Sequence, residues 1–225
     1  MRVPFIIPLC FFAFLVNAFA ERSAQVVLFK PPENAPNSIF LHSGIETPFE
    51  IDLPRHNFSN SFSLPKGDLR LRFLVSALPE DEKMPVEAPS VQIPAAWKKV
   101  LLLSFSDPNN KILPLRFKAI NATENVFGDG QTLIINFTKV TVTGTFGNKK
   151  LTLQPKKRLI VGDVSGGKTS FKVRLDSAAV GEKGKGQVPL IRQIWRHYPA
   201  SRQLVYIYKL NGGQITYQSF PINNL

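Results

Sequence analysis

Apolar and polar residues alternate with a period of two along most of the chain. Phe49, Ile51 and Leu53 are separated by acidic side chains, Phe58, Phe62 and Leu64 follow with Asn60 in step, and Leu69, Leu71, Phe73 and Val75 repeat the pattern. A period of two puts successive side chains on opposite faces of an extended strand, so each run predicts a strand with one buried face. Pro65, Gly67 and Asp68 between the last two runs supply turn chemistry, which predicts a hairpin there. Val100 to Phe105, the turn Asp107 to Asn110, and Leu113 to Ile120 read as a second hairpin. Further strands are expected at Thr132 to Phe137, Val140 to Phe146, Leu151 to Leu153 and Leu159 to Val161, and at Phe171, Val173 and Leu175. The clearest hairpin closes the chain, with Leu204 to Leu210 and Ile215 to Phe220 flanking Asn211-Gly212-Gly213.

Turn signals recur every 8 to 12 residues or so, the spacing of sandwiches and barrels. A 3.6-residue period shows only weakly, over Val188 to Trp195, and 18 prolines oppose long helices. The expectation is an all-β antiparallel β-sandwich over residues 21–225. A division near residue 122 would instead give two smaller sandwiches, packed or in tandem. Leu78 to Pro94, with four prolines, is expected to run extended over the sheet, and Ala179 to Gln187 to form a glycine-rich surface loop. Phe62-Ser63-Leu64-Pro65-Lys66 faintly echoes Leu151-Thr152-Leu153-Gln154-Pro155-Lys156, which is too short to define a repeat.

The first 20 residues depart from this pattern. Arg2 precedes the apolar stretch Phe5 to Val16, and Ala18-Phe19-Ala20 fits the small-x-small cleavage rule, so residues 1–20 read as a secretory signal peptide. The apolar run falls short of the roughly 20 residues a spanning helix needs, so no membrane anchor is expected after cleavage. Cys10, the only cysteine, lies in this segment, which leaves the mature chain without thiols or disulfides. Removing residues 1–20 also removes Arg2, leaving 27 Lys and Arg against 16 Asp and Glu, a net charge of +11. That charge attracts anionic partners at long range and says nothing of fold.

Several motifs suggest catalysis and fail on context. Gly162 to Thr169 satisfies the phosphate-loop spacing G-x-x-x-x-G-K-T. That chemistry needs a helix N-terminus after the loop, and the alternation from Ser170 to Asp176 predicts a strand, so no nucleotide is expected as a partner. The same loop approximates the Gly-Asp-Ser-Gly-Gly of chymotrypsin-like proteases, but Val164 interrupts it and would displace the nucleophile from its oxyanion donors. His42, His56 and His197 lack metal-ligand spacing, so neither a metal nor a cofactor is expected. Asn57, Asn121 and Asn136 each open an N-glycosylation sequon.

What remains is charge clustering. Lys149, Lys150, Lys156, Lys157 and Arg158 bracket one predicted strand, and Lys183 and Lys185 sit on the glycine-rich loop. Lysines at sheet edges guard against edge-to-edge association, and the same residues could form an anion-binding face. Trp195, Arg196, His197 and Tyr198, followed by Arg202, mix aromatic and cationic groups suited to stacking on sugars or phosphates, or to closing a sandwich.

Ile134 to Thr138, Gly144, Gly147-Asn148-Lys149, Leu153 and Pro155, followed by Trp195 and Arg202 to Tyr206, resemble uncharacterised exported bacterial β-sandwich proteins over the C-terminal half. The resemblance implies a fold and a compartment, with no activity and no functional residue carried over. The sequence therefore leads us to expect an exported, periplasmic or extracellular, non-catalytic binding or structural module. Two alternatives stand beside it: a binder of anionic envelope polymer through its Lys and Arg faces, and a hydrolase with a dispersed site. Another exported protein is a further partner the compartment would allow.

Overall fold

The alternating segments fold as strands. The computed structural model describes residues 22–32, 34–79, 81–162, 164–178, 186–222 and 225. Residues 1–20, Lys183 and Lys185 lie outside these, so the signal-peptide reading and the two loop lysines have no structural counterpart. The elements are β1 (Ser23–Phe29), β2 (Ser38–His42), β3 (Phe49–Asp52), β4 (Phe62–Ser63), β5 (Leu69–Leu74), β6 (Ser90–Ile93), β7 (Lys99–Ser106) and β8 (Leu115–Asn121) in the first half. The second half holds β9 (Thr132–Asn136), β10 (Val142–Phe146), β11 (Lys149–Leu153), β12 (Arg158–Val161), β13 (Ser170–Ala178), β14 (Gln187–Arg196), β15 (Arg202–Lys209) and β16 (Ile215–Ile222). The fold is all-β, with no helix among the described residues.

The strands form four sheets of four: β4-β1-β7-β8, β3-β2-β5-β6, β12-β9-β15-β16 and β11-β10-β13-β14. Ladders are antiparallel except β1 with β7 and β9 with β15, which run parallel. Adding eight to each label of the first sheet gives the third, and adding eight to the second gives the fourth. The chain thus contains one eight-strand topology twice, changing over between Asn121 and Thr132. The faint sequence echo matches strands that are not equivalent. Phe62-Ser63 is β4, whose counterpart is β12, whereas Leu151 to Leu153 belong to β11, the counterpart of β3.

Three apolar clusters stack these sheets into four layers. Val26, Leu28, Val100 and Leu102 pack the first sheet on Leu41, Leu71 and Phe73 of the second. Ile134, Val205 and Ile207 pack the third on Phe146, Val173 and Leu175 of the fourth. The alternate residues Val27, Phe29, Leu101 and Leu103 turn the opposite face of the first sheet onto Leu133, Ile135, Leu204 and Tyr206 of the third. Both inner sheets are therefore covered on two faces, which is why their central strands β1, β7, β9 and β15 carry near-continuous apolar runs.

Several local expectations changed. The run at Phe62 does not form a hairpin with the run at Leu69, because β4 pairs with β1 while β5 pairs with β2 and β6. The Pro65–Asp68 link instead crosses between the two sheets of a sandwich. Leu78 to Pro94 is more than a covering strap, since its end enters the second sheet as edge strand β6. Val188 to Trp195 is the edge strand β14, whose largely exposed residues weaken the alternation that marks a strand. The β7–β8 and β15–β16 hairpins form where the pattern places them.

Arg22 locks the first repeat. It is 7% exposed, and its guanidinium donates to the carbonyl oxygens of Trp97 (2.8 Å), Pro65 (3.0 Å), Gly67 (2.6 Å), Ile93 (3.2 Å) and Pro94 (2.6 Å). One side chain thereby ties the start of β1 to the β4–β5 and β6–β7 connections. In the second repeat, Gly147 turns the β10–β11 hairpin at φ +62°, and a Cβ there would run into the carbonyl oxygen of Val164. The turn needs glycine for both reasons.

Candidate anion-binding cleft

The two parallel pairs, β1 with β7 and β9 with β15, end on a cleft of about 700 Å³ between the first and third sheets. Phe29 and Phe105, from the ends of β1 and β7, stack at 5.2 Å between ring centres. Phe137, just past β9, meets Phe105 edge-on at 5.3 Å, and Tyr206 meets Phe29 edge-on at 3.9 Å. With Ile120, Ile135 and Tyr208 these rings make an apolar floor. Burial, and then the neighbouring Tyr208, push the Tyr206 phenol well above its usual pKa, so it stays protonated and donates to Gln218 Oε1.

The rim is cationic throughout. Lys30, Arg116, Lys118, Lys156, Lys157, Arg158 and Lys209 line the cleft, and no acidic side chain is among the described residues around it. Arg116 and Lys118 come from β8 at alternate positions, so one strand face delivers both. Lys156, Lys157 and Arg158 come from the turn into β12 and its first residue. Lys30 Nζ sits 4.4 Å from the Tyr208 ring centre, and the Arg116 guanidinium carbon 5.1 Å from that of Phe105. These cation–π contacts hold the charges over the mouth of the aromatic floor.

The backbone marks the same place. Lys30 (φ 44°) and Lys156 (φ 61°) are the only non-glycine residues with positive φ among the described residues, and both line the cleft. A side chain in the left-handed region costs on the order of 1 kcal/mol, and such strain clusters at functional sites. Each ammonium is anchored on a backbone carbonyl, Lys30 on Lys209 and Lys156 on Phe137. Partial desolvation lowers the pKa of Lys30.

Of the residues singled out from the sequence, Lys156, Lys157 and Arg158 belong to this cleft, while Lys149 and Lys150 sit exposed at the other end of β11. Trp195, Arg196, His197, Tyr198 and Arg202 do come together, around a separate hollow of about 380 Å³ beside β14. There the Trp195 indole donates to Gln193 Oε1 at 2.8 Å and meets Phe146 edge-on at 5.4 Å, closing the end of the second sandwich. Arg202 is 3% exposed and engaged by the Ala122 carbonyl, Asp129 and Glu124, so its charge is turned inward. No protein-family model and no curated protein matches the chain.

The tempting motifs resolve into structure. Lys168 and Thr169 of the phosphate-loop match lead into strand β13, and Val164 is buried over the β10–β11 turn. Asn136 is fully buried, its amide donating to the carbonyls of Val140, Leu153 and Gln154. His56 is exposed, and no carboxylate lines the hollow that holds His197 among its described residues. His42 lines a hollow together with the carboxylates Glu46 and Glu82. Burial lowers its pKa, against a bond to the Ser76 backbone that raises it, and Nε2 is buried without a partner among the described residues. No group of three His, Cys, Asp or Glu side chains able to hold a metal occurs among the described residues.

Sequence reasoning missed Lys30, Phe105, Arg116, Lys118, Tyr208 and Lys209. The one signal for them was local: Arg116 and Lys118 share one face of a strand whose other face, Leu115 and Phe117, is apolar.

Proposed function

We propose that the protein is an exported, non-catalytic binding module that holds an anionic ligand in the cleft between its two repeats. The observation that carries this reading is the ring of seven cations, unrelieved by any acid among the described residues, set over an aromatic floor. Like charges so gathered repel one another, and the ring and carbonyl contacts of Lys30, Arg116 and Lys156 offset only part of that, so a partner of opposite sign accounts for the clustering. Both halves contribute: Lys30, Arg116 and Lys118 from the first, Lys156 to Arg158 and Lys209 from the second.

Salt dependence tests it. Retention on phosphocellulose should weaken at least about tenfold between 50 and 200 mM salt, because several exposed charges act together and screening shortens their reach. Retention that ignores salt over that range would count against an anion site.

A further inference from the structure

The polar chemistry of the cleft narrows its ligand. A sugar or another fully hydroxylated polyanion brings many hydroxyl groups, and each one placed against protein must find a donor or acceptor there. The Lys and Arg groups of the rim can donate to hydroxyl oxygens but cannot accept a hydroxyl proton, and as side-chain acceptors the described lining offers only Ser106 and two tyrosine hydroxyls, with no Asn, Gln, Asp or Glu. One of the two, Tyr206, is already bonded to Gln218. The floor is hydrocarbon, and burying hydroxyl groups on it would strip their water without replacement. A ligand that is apolar at one end and multiply charged at the other meets neither penalty.

Resting on the proposed function, we infer that the cleft takes a single-chain amphiphile with a phosphate head, its apolar body laid on the half-buried rings of Phe105 and Phe137, which Phe29 backs from beneath, and its head held by the cationic rim. The volume of about 700 Å³ suits one such molecule, lying within the roughly 300–1,000 Å³ of pockets that enclose a small ligand. The concave shape favours a lipid taken singly over a bilayer surface. Lys30 and Arg116, lying over rings, stand where head and body would meet.

Calorimetric titration of the intact protein with four probes tests this. Dodecyl phosphate below its micellar concentration should bind at least about tenfold more tightly than inorganic phosphate, through the buried chain, and at least about tenfold more tightly than uncharged dodecyl maltoside, through the charged head. Long-chain polyphosphate should bind with strong salt dependence and no benefit from the floor. The double variant Phe105→Ser with Phe137→Ser should weaken dodecyl phosphate at least about tenfold and polyphosphate by no more than about threefold, since of the rim it removes only the support that the Phe105 ring gives Arg116, with circular dichroism checking its fold. The probe comparison on the unaltered protein stands even if that variant misfolds. Dodecyl phosphate no tighter than inorganic phosphate, beside tight polyphosphate binding, would overturn the amphiphile and leave the anion site standing. Failure of every anion would overturn both.

Discussion

Replacing Lys118, Lys157 and Arg158 together by glutamate should weaken anion binding at least about a hundredfold. Each of the three cations offers the ligand a charge-assisted hydrogen bond of ~1.5–3 kcal/mol, and each glutamate puts repulsion in its place. All three side chains are exposed, so the fold should survive. The informative control is Lys149→Glu with Lys150→Glu and Lys172→Glu, three exposed positions outside the cleft that change net charge by the same amount. Binding measured side by side should fall for the first set and hold within about threefold for the second, because well-separated surface charges are screened. Equal losses would mean that overall charge, and not the cleft, attracts the ligand.

The second large effect is on stability. Arg22→Ala should cost about 4 kcal/mol or more, because it leaves several buried carbonyl groups without the donors that now satisfy them. Arg22→Lys keeps the charge but offers three donors where five bonds are made, and should recover only part. Urea unfolding followed by circular dichroism reads both, and an Arg22→Ala variant as stable as the parent would show that the hub is replaceable by water. Desolvation lowers the pKa of Arg22, with Asp68 opposing that shift, yet a guanidinium remains charged at any ordinary pH.

Strands with one wet face, such as β5 with its Leu69, Leu71 and Phe73, announce themselves in the sequence by alternation. β1 does not, because Val26 to Phe29 are buried on both sides of an inner sheet. The fourfold layering was hidden for the same reason. It depends on Val27 and Leu101 facing one way while Val26 and Leu102 face the other, a division that composition cannot express. For the duplication the sequence offers only the faint echo, which joins strands that are not equivalent, since topologically equivalent strands such as β3 and β11 differ in length and share little identity.

The cleft was half legible for a related reason. Lys156, Lys157 and Arg158 are neighbours in the chain and were visible as a cluster. Lys30, Arg116, Lys118 and Lys209 join them only through long-range strand pairing, where β1 meets β7 in parallel across some 76 residues of sequence. Charge density in the sequence therefore pointed equally at Lys149 and Lys150, and only the fold separates those from the cleft.

Lysine acetylation footprinting, read residue by residue with mass spectrometry in the presence of dodecyl phosphate or polyphosphate, tests the cleft most directly. An anion seated there should protect Lys118, Lys157 and Lys209 while Lys149, Lys150 and Lys172 go on reacting. Protection of Lys149 and Lys150, or an even decrease over the whole surface, would contradict the assignment of this cleft as the binding site.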